Sequence, residues 1–80
     1  MKKPVTMRIR DLGLAAALVS VGYEVGETYK DENGRTYFVF LEEDGLKRDI
    51  DSYWSDTLVV RARKLSDNIK ILKGVIYAEK

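Results

Sequence analysis

Eighty residues make one small domain with a modest core, so self-association is a reasonable expectation. The chain has no cysteine and no histidine, which excludes disulfides, thiolate nucleophiles, sulfur-bound zinc and the commonest metal ligand. Its formal charge of +1 hides a segregation along the sequence.

Lys2, Lys3, Arg8 and Arg10 stand unopposed at the start, and eleven acidic side chains face four basic ones over residues 11–60. Arg61, Arg63, Lys64, Lys70, Lys73 and Lys80 then outnumber Asp67 and Glu79. If the ends meet in space, the fold has a basic side and an acidic side. No apolar run approaches the roughly 20 residues that span a bilayer. The start lacks the apolar region of a secretory signal, so the cytoplasm is the expected location.

In chain order, Val5, Met7 and Ile9 alternate with Thr6, Arg8 and Arg10, a short half-buried strand with Pro4 at its beginning. Asp11 is placed to cap or enter a helix over Leu12–Val21. That segment is apolar almost all round, with Ala15, Ala16 and Ala17 allowing close approach to a sheet, and Gly22 ends it. Tyr23–Lys30 reads as a strand of imperfect alternation, with Gly26 marking a bulge or a close backbone approach. Asn33-Gly34 then predicts a hairpin into the central strand, Thr36–Leu41.

Period two sends Phe38 and Phe40 to one face of that strand and Tyr37, Val39 and Leu41 to the other. Neither face is plainly polar. This chain's helices can cover one of them. The other is closed by a helix, closed by a partner, or left half wet, which tyrosine tolerates.

Glu42, Glu43 and Asp44 suit the start of a helix over about Asp44–Trp54, with Leu46, Ile50, Tyr53 and Trp54 on one face. Leu58–Val60 is either a brief edge strand or an extended linker. The last helix, about Ala62–Ala78, carries Ala62, Leu65, Ile69, Leu72 and Ile76 at helical spacing. Ile71, Val75 and Ala78 widen its apolar stripe. Expected core residues are Met7, Ile9, Leu14, Leu18, Phe38, Phe40, Leu46, Ile50, Trp54, Leu65, Ile69 and Leu72.

The fold expected is therefore α+β: a small, mainly antiparallel sheet of three strands, with Leu58–Val60 as a candidate fourth, covered by three helices in the order β-α-β-β-α-(β)-α. It forms a single domain over 1–80, ordered over about 5–78.

The segments Arg10–Leu18, Val21–Tyr23, Gly34–Phe40, Tyr53–Ser55 and Leu58–Leu65 together resemble a family of short uncharacterised bacterial, archaeal and phage-associated proteins known only as a domain of unknown function. The likeness spans about residues 5–77 and rests on core and turn residues. It implies a shared fold and carries no activity. This chain departs from the family pattern with Ile9 where Ser or Thr is frequent, and with Arg61 where Pro is frequent. Both departures blur helix starts.

No enzyme reading stands out. Ser20, Ser52, Ser55 and Ser66 have no histidine to activate them. Glu42, Glu43, Asp44, Asp49 and Asp51 are dense enough for a cation or a general acid–base pair to be considered, but helix-start electrostatics and a solvated face explain them sufficiently. No glycine-rich phosphate loop is present. The expectation is a non-enzymatic protein-interaction or homo-oligomerising module without cofactor, metal or small-molecule substrate. Its candidate interface residues are Tyr29, Tyr37 and Val39 on the sheet, and Ile71, Val75 and Ala78 on the last helix. The alternative is a nucleic-acid-binding accessory protein using Arg8, Arg10, Arg61, Arg63 and Lys64, with Lys70 as a further contact. Tyr23, Tyr29, Tyr37 and Phe38 would be available there for stacking.

Overall fold

The computed structural model describes residues 5–78; Lys2, Lys3 and Pro4, read above as a basic start and a strand boundary, lie outside them. The strand over Thr36–Leu41 (β3) sits between β1 (Thr6–Ile9) and β2 (Val25–Lys30) and is antiparallel to both, giving the order β1-β3-β2. Residues paired directly across strands share a face. Met7 and Val25 flank Phe40, and Ile9 and Thr28 flank Phe38, on the inner face. Thr6 opposite Leu41, Arg8 and Glu27 on either side of Val39, and Tyr29 opposite Tyr37 make the outer face.

Gly26 is the bulge that its position suggests. Along β2 the pairing advances two residues, Val25 to Glu27, while β3 advances one, Phe40 to Val39. The extra residue turns Glu27 and Tyr29 outward. At the other end of the hairpin the Asp31 carboxylate accepts from the Asn33 and Arg35 amides, both at 2.9 Å. The Arg35 amide, followed by that of Asn33, holds this carboxyl below its ordinary range. Only Gly34, at φ 81°, takes positive φ here. The turn is thus longer than the two-residue form that needs positive φ at both central positions.

The first helix, α1 (Leu12–Ser20), is capped by Asp11, whose carboxylate accepts from the Leu14 amide at 2.9 Å. Asp11 fills the role that Ser or Thr would otherwise play. At the far end Gly22, at φ 119°, lets its own amide reach the Val19 carbonyl and the Tyr23 amide reach the Leu18 carbonyl. Leu14 to Leu18 are all buried. A helix apolar on every side needs neighbours on every side; α1 has the sheet beneath it, and both α2 (Leu46–Trp54) and α3 (Ala62–Ala78) pack against it.

α2 starts two residues later than the Asp44 expected. Glu42 is tied to the chain just before β1, its amide bonding the Val5 carbonyl at 2.8 Å, and Gly45 then takes φ 92° as the cap. Glu42, Glu43 and Asp44 therefore precede the helix rather than forming its first turn. Tyr23 ties this start down by donating to Asp49 Oδ2 at 2.7 Å. Leu46 is fully buried and anchors the helix.

Trp54, expected in the core, is 62% exposed and stands edge-on to Tyr53 with ring centroids 5.0 Å apart. In a nine-residue helix the inward side is filled by Leu46, Ile50 and Tyr53, and Trp54 falls about 100° round from Tyr53. Among the described residues Leu58–Val60 pairs with no strand and is an extended linker. α3 has the expected bounds, and Asn68 on it donates to Ser20 Oγ of α1 at 3.0 Å.

The core joins Ile9, Phe38 and Phe40 of the sheet to Leu14, Leu18, Leu46 and Leu72 of the helices, with Met7, Ile50, Leu65 and Ile69 packed around it. All three helices therefore serve the inner face. The domain is a flat two-layer body, 37 × 33 × 18 Å.

Candidate functional site

Among the described residues no helix packs over the outer face of the sheet, and its chemistry follows from the strand register. Three side chains form a row across it at one level: Arg8 on β1, Val39 on β3 and Glu27 on β2. Toward one end lie Thr6 and Leu41, and toward the other Tyr37 and Tyr29. The Arg8 guanidinium sits 4.6 Å above the centroid of the Tyr29 ring. β1 and β2 are two strand spacings apart, roughly 9.5 Å, so to reach Tyr29 the arginine must lie across the central strand. That strap explains why Val39 is only 7% exposed on a face that lacks a helix. Tyr29 in turn leans on Tyr37, with centroids 6.0 Å apart.

Beside the strap the face is open. Leu41 is 49% exposed and Tyr29 42% exposed. A shallow depression of about 270 Å³ is lined by Thr6, Gly26, Glu27, Val39 and Leu41. Gly26 forms part of its floor because a bulged glycine has no side chain to fill the space. Among the described residues Glu27 has no hydrogen-bond or ion-pair partner in its own chain.

The second candidate surface is less coherent. On α3, Ile71 is 61% exposed and Ala78 is exposed, but Val75 packs against the core. The stripe is thus divided between inside and outside.

The candidate nucleic-acid contacts are not brought together. Arg8 lies on the outer face, while Arg61, Arg63, Lys64 and Lys70 are exposed residues on or beside α3 in the helical layer. Arg10 is exposed just past β1. The acidic cluster is also spread out: Glu42 pairs with Lys47 at 3.3 Å, and Asp49 takes the Tyr23 hydroxyl and, at 3.5 Å, Arg48. Among the described residues no three carboxylates are grouped to hold a metal ion. No helix among them is long and apolar enough to cross a membrane.

A separate cleft of about 360 Å³ opens between the helices, lined by Ala17, Tyr53, Asp56, Leu58, Val60 and Leu65. Burial, followed by the nearby Asp11 charge, raises the Tyr53 hydroxyl above its ordinary pKa.

The family described as "Domain of unknown function (DUF5659)" matches residues 5–78. The chain belongs to this family. The description assigns DUF5659 no activity, so the kinship speaks to the fold and leaves the face to be read from its own chemistry. No curated protein and no solved structure matches the chain significantly.

Of the sheet residues expected at an interface, this DUF5659 domain brings Tyr29, Tyr37 and Val39 onto one surface. Sequence reasoning placed Leu41 on this face without naming it at an interface, and missed Glu27 as a member and Arg8 as their neighbour. The signal was present in Gly26: a bulge there reverses the phase of β2, and counting period two from Val25 without it places Glu27 inside.

Proposed function

We propose that the protein is a small non-enzymatic cytoplasmic module that acts by associating with itself through the outer face of its sheet. The observation that carries this reading is the sheet's outer face, where Leu41 on β3 and Tyr29 on β2 remain nearly half exposed beside Val39 while the helices pack into the core on the other side. Apolar surface left on an uncovered sheet face is what an isologous two-fold contact removes from water. The size of the face sets the strength. Three strands at about 4.8 Å spacing, the longer two of six residues, give a footprint of at most roughly 14 by 20 Å. Two such faces bury less than the ~1,200 Å² at which stable interfaces begin, so association belongs in the micromolar range or weaker.

Nucleic-acid binding is the weaker reading, because it needs one surface presenting charges that sit on both layers of the fold. A titration with duplex and single-stranded DNA and RNA at about 50 mM salt, where phosphate contacts are strong, is expected to show no binding.

Self-association is tested by sedimentation equilibrium from about 5 µM to about 500 µM, a range that brackets the expected affinity. The expected result is an average mass rising from 9.2 kDa toward twice that value. Leu41→Glu changes a half-exposed residue, leaves the fold intact, and weakens association at least about tenfold by placing a charge in the contact. A mass of one chain across the whole range would overturn the proposal.

A further inference from the structure

The row across the outer face contains more than apolar surface, and its symmetry specifies how two copies meet. We infer that the protein pairs face to face about a two-fold axis running along β3 above Val39, so that Arg8 of each chain meets Glu27 of the other. This rests on the self-association reading and adds the orientation and the residues that select the partner.

Arg8, Val39 and Glu27 share one level because both edge residues are registered against Val39. They are therefore disposed evenly about the central strand, about 4.8 Å to either side of it. Rotation by half a turn about an axis along β3 exchanges the two edges and preserves the level. Val39 then meets Val39 of the second copy, and the arginine edge meets the glutamate edge twice. An axis across the strands would instead set arginine against arginine and glutamate against glutamate. Like charges opposed at an interface select against that arrangement. Stacked sheets pack at about −30° because of their twist. At ~4.8 Å from the axis that rotation displaces each partner by only about 2.5 Å, which an arginine side chain spans.

The single chain already holds the two groups in a state suited to exchange. The Arg8 guanidinium rests on Tyr29, a contact that is weak at an exposed ring. Glu27 has no partner of its own among the described residues, although Arg8 occupies the same row. When Arg8 turns toward the second copy it uncovers Val39, which also lines the open depression beside the strap. That depression, with Leu41 at its rim, then receives apolar side chains of the partner. Ion pairing and apolar contact thus arise in one movement.

The test uses charge reversal in the full-length protein, read by sedimentation equilibrium at about 50 mM and about 500 mM salt to separate screened from unscreened charge. Arg8→Glu and Glu27→Arg are each expected to raise the dimer dissociation constant by on the order of ten- to a hundred-fold, since each creates two like-charged contacts per dimer. An equimolar mixture of the two variants restores association, because every contact between unlike chains is then complementary. The double variant R8E/E27R also restores it. Arg8→Gln and Glu27→Gln, which remove the charge without reversing it, give intermediate weakening and cover the case in which a reversal disturbs the fold. If the wild type associates but the mixture and the double variant gain nothing over the single variants, the orientation is overturned while self-association stands. If the wild type is monomeric throughout, the underlying reading fails, and the orientation with it.

Discussion

Gly13→Ala sets two well-defined effects against each other. Gly13 lies in the first turn of α1, and a methyl group built there would sit 2.6 Å from the Tyr53 hydroxyl and 3.3 Å from Asp11 Oδ1. Alanine favours the helix by up to about 1 kcal/mol over glycine in a helix interior, and less in a first turn. Overpacking of this kind costs about 1–3 kcal/mol, and Tyr53 cannot swing away cheaply because its ring packs against the core. The clash is therefore expected to win, with a net loss of about 0.5–2 kcal/mol. For a domain of this size each kcal/mol corresponds to about 4–8 °C in Tm. Removing the hydroxyl with Tyr53→Phe leaves the ring carbon at 3.7 Å, an ordinary contact. In that background G13A should be neutral or stabilising, giving a coupling of about 1–2 kcal/mol in a double-mutant cycle. Urea unfolding of the four proteins measures it. If G13A stabilises the wild-type and Y53F backgrounds equally, α1 and α2 are not in the close contact described and the reasoning is refuted.

Two other outcomes follow from the packing and from the turn. Leu46→Ala removes the one fully buried anchor of α2 and should cost about 2–5 kcal/mol, a large part of the roughly 4–12 kcal/mol of an 80-residue domain; a loss in urea below ~1 kcal/mol would mean that α2 is not docked through this residue. Asp31 has a folded-state pKa below its ordinary 3.8, owing first to the Arg35 amide and then to that of Asn33. Its contribution is thus present above that ordinary value and lost as pH falls through the lower, folded one. Asp31→Asn, which keeps the acceptor without the titration, should lose less stability than wild type on acidification below about pH 5; parallel acid limbs would show that the turn does not hold the charged form.

The elements that sequence patterning placed well are those whose reasons are local. The Asp11 cap, the Gly22 stop, the Asn33-Gly34 hairpin and the Gly26 bulge each need only a few neighbouring residues to explain them. The two-faced central strand was equally legible, because period two in T-Y-F-V-F-L leaves no polar side. What failed depended on competition between elements. The carboxylates of residues 42–44 suit a helix start, but the Val5 carbonyl just before β1 holds the Glu42 amide and Gly45 defers the helix to Leu46. Trp54 shares a stripe with Leu46 and Ile50 on paper, and loses its place because Tyr53 takes the inward position against Gly13. The membership of Arg8 in the candidate face required the strand order and the reach of its side chain across β3. Neither is encoded in the spacing of residues 6–10.

The central strand is also the last of the three to be made. β1 has nowhere to bond until residues 36–41 exist, and its match with them closes over the whole of α1 and β2. During synthesis α1, which is greasy on every side, therefore waits without its floor. The β2–β3 hairpin can zip locally, whereas docking β1 must meet the entropy of a long closure. Fragments ending before Leu41 should consequently be prone to clump, and folding speed should respond more to substitutions in β1 and the Phe38–Phe40 segment than to those in α3.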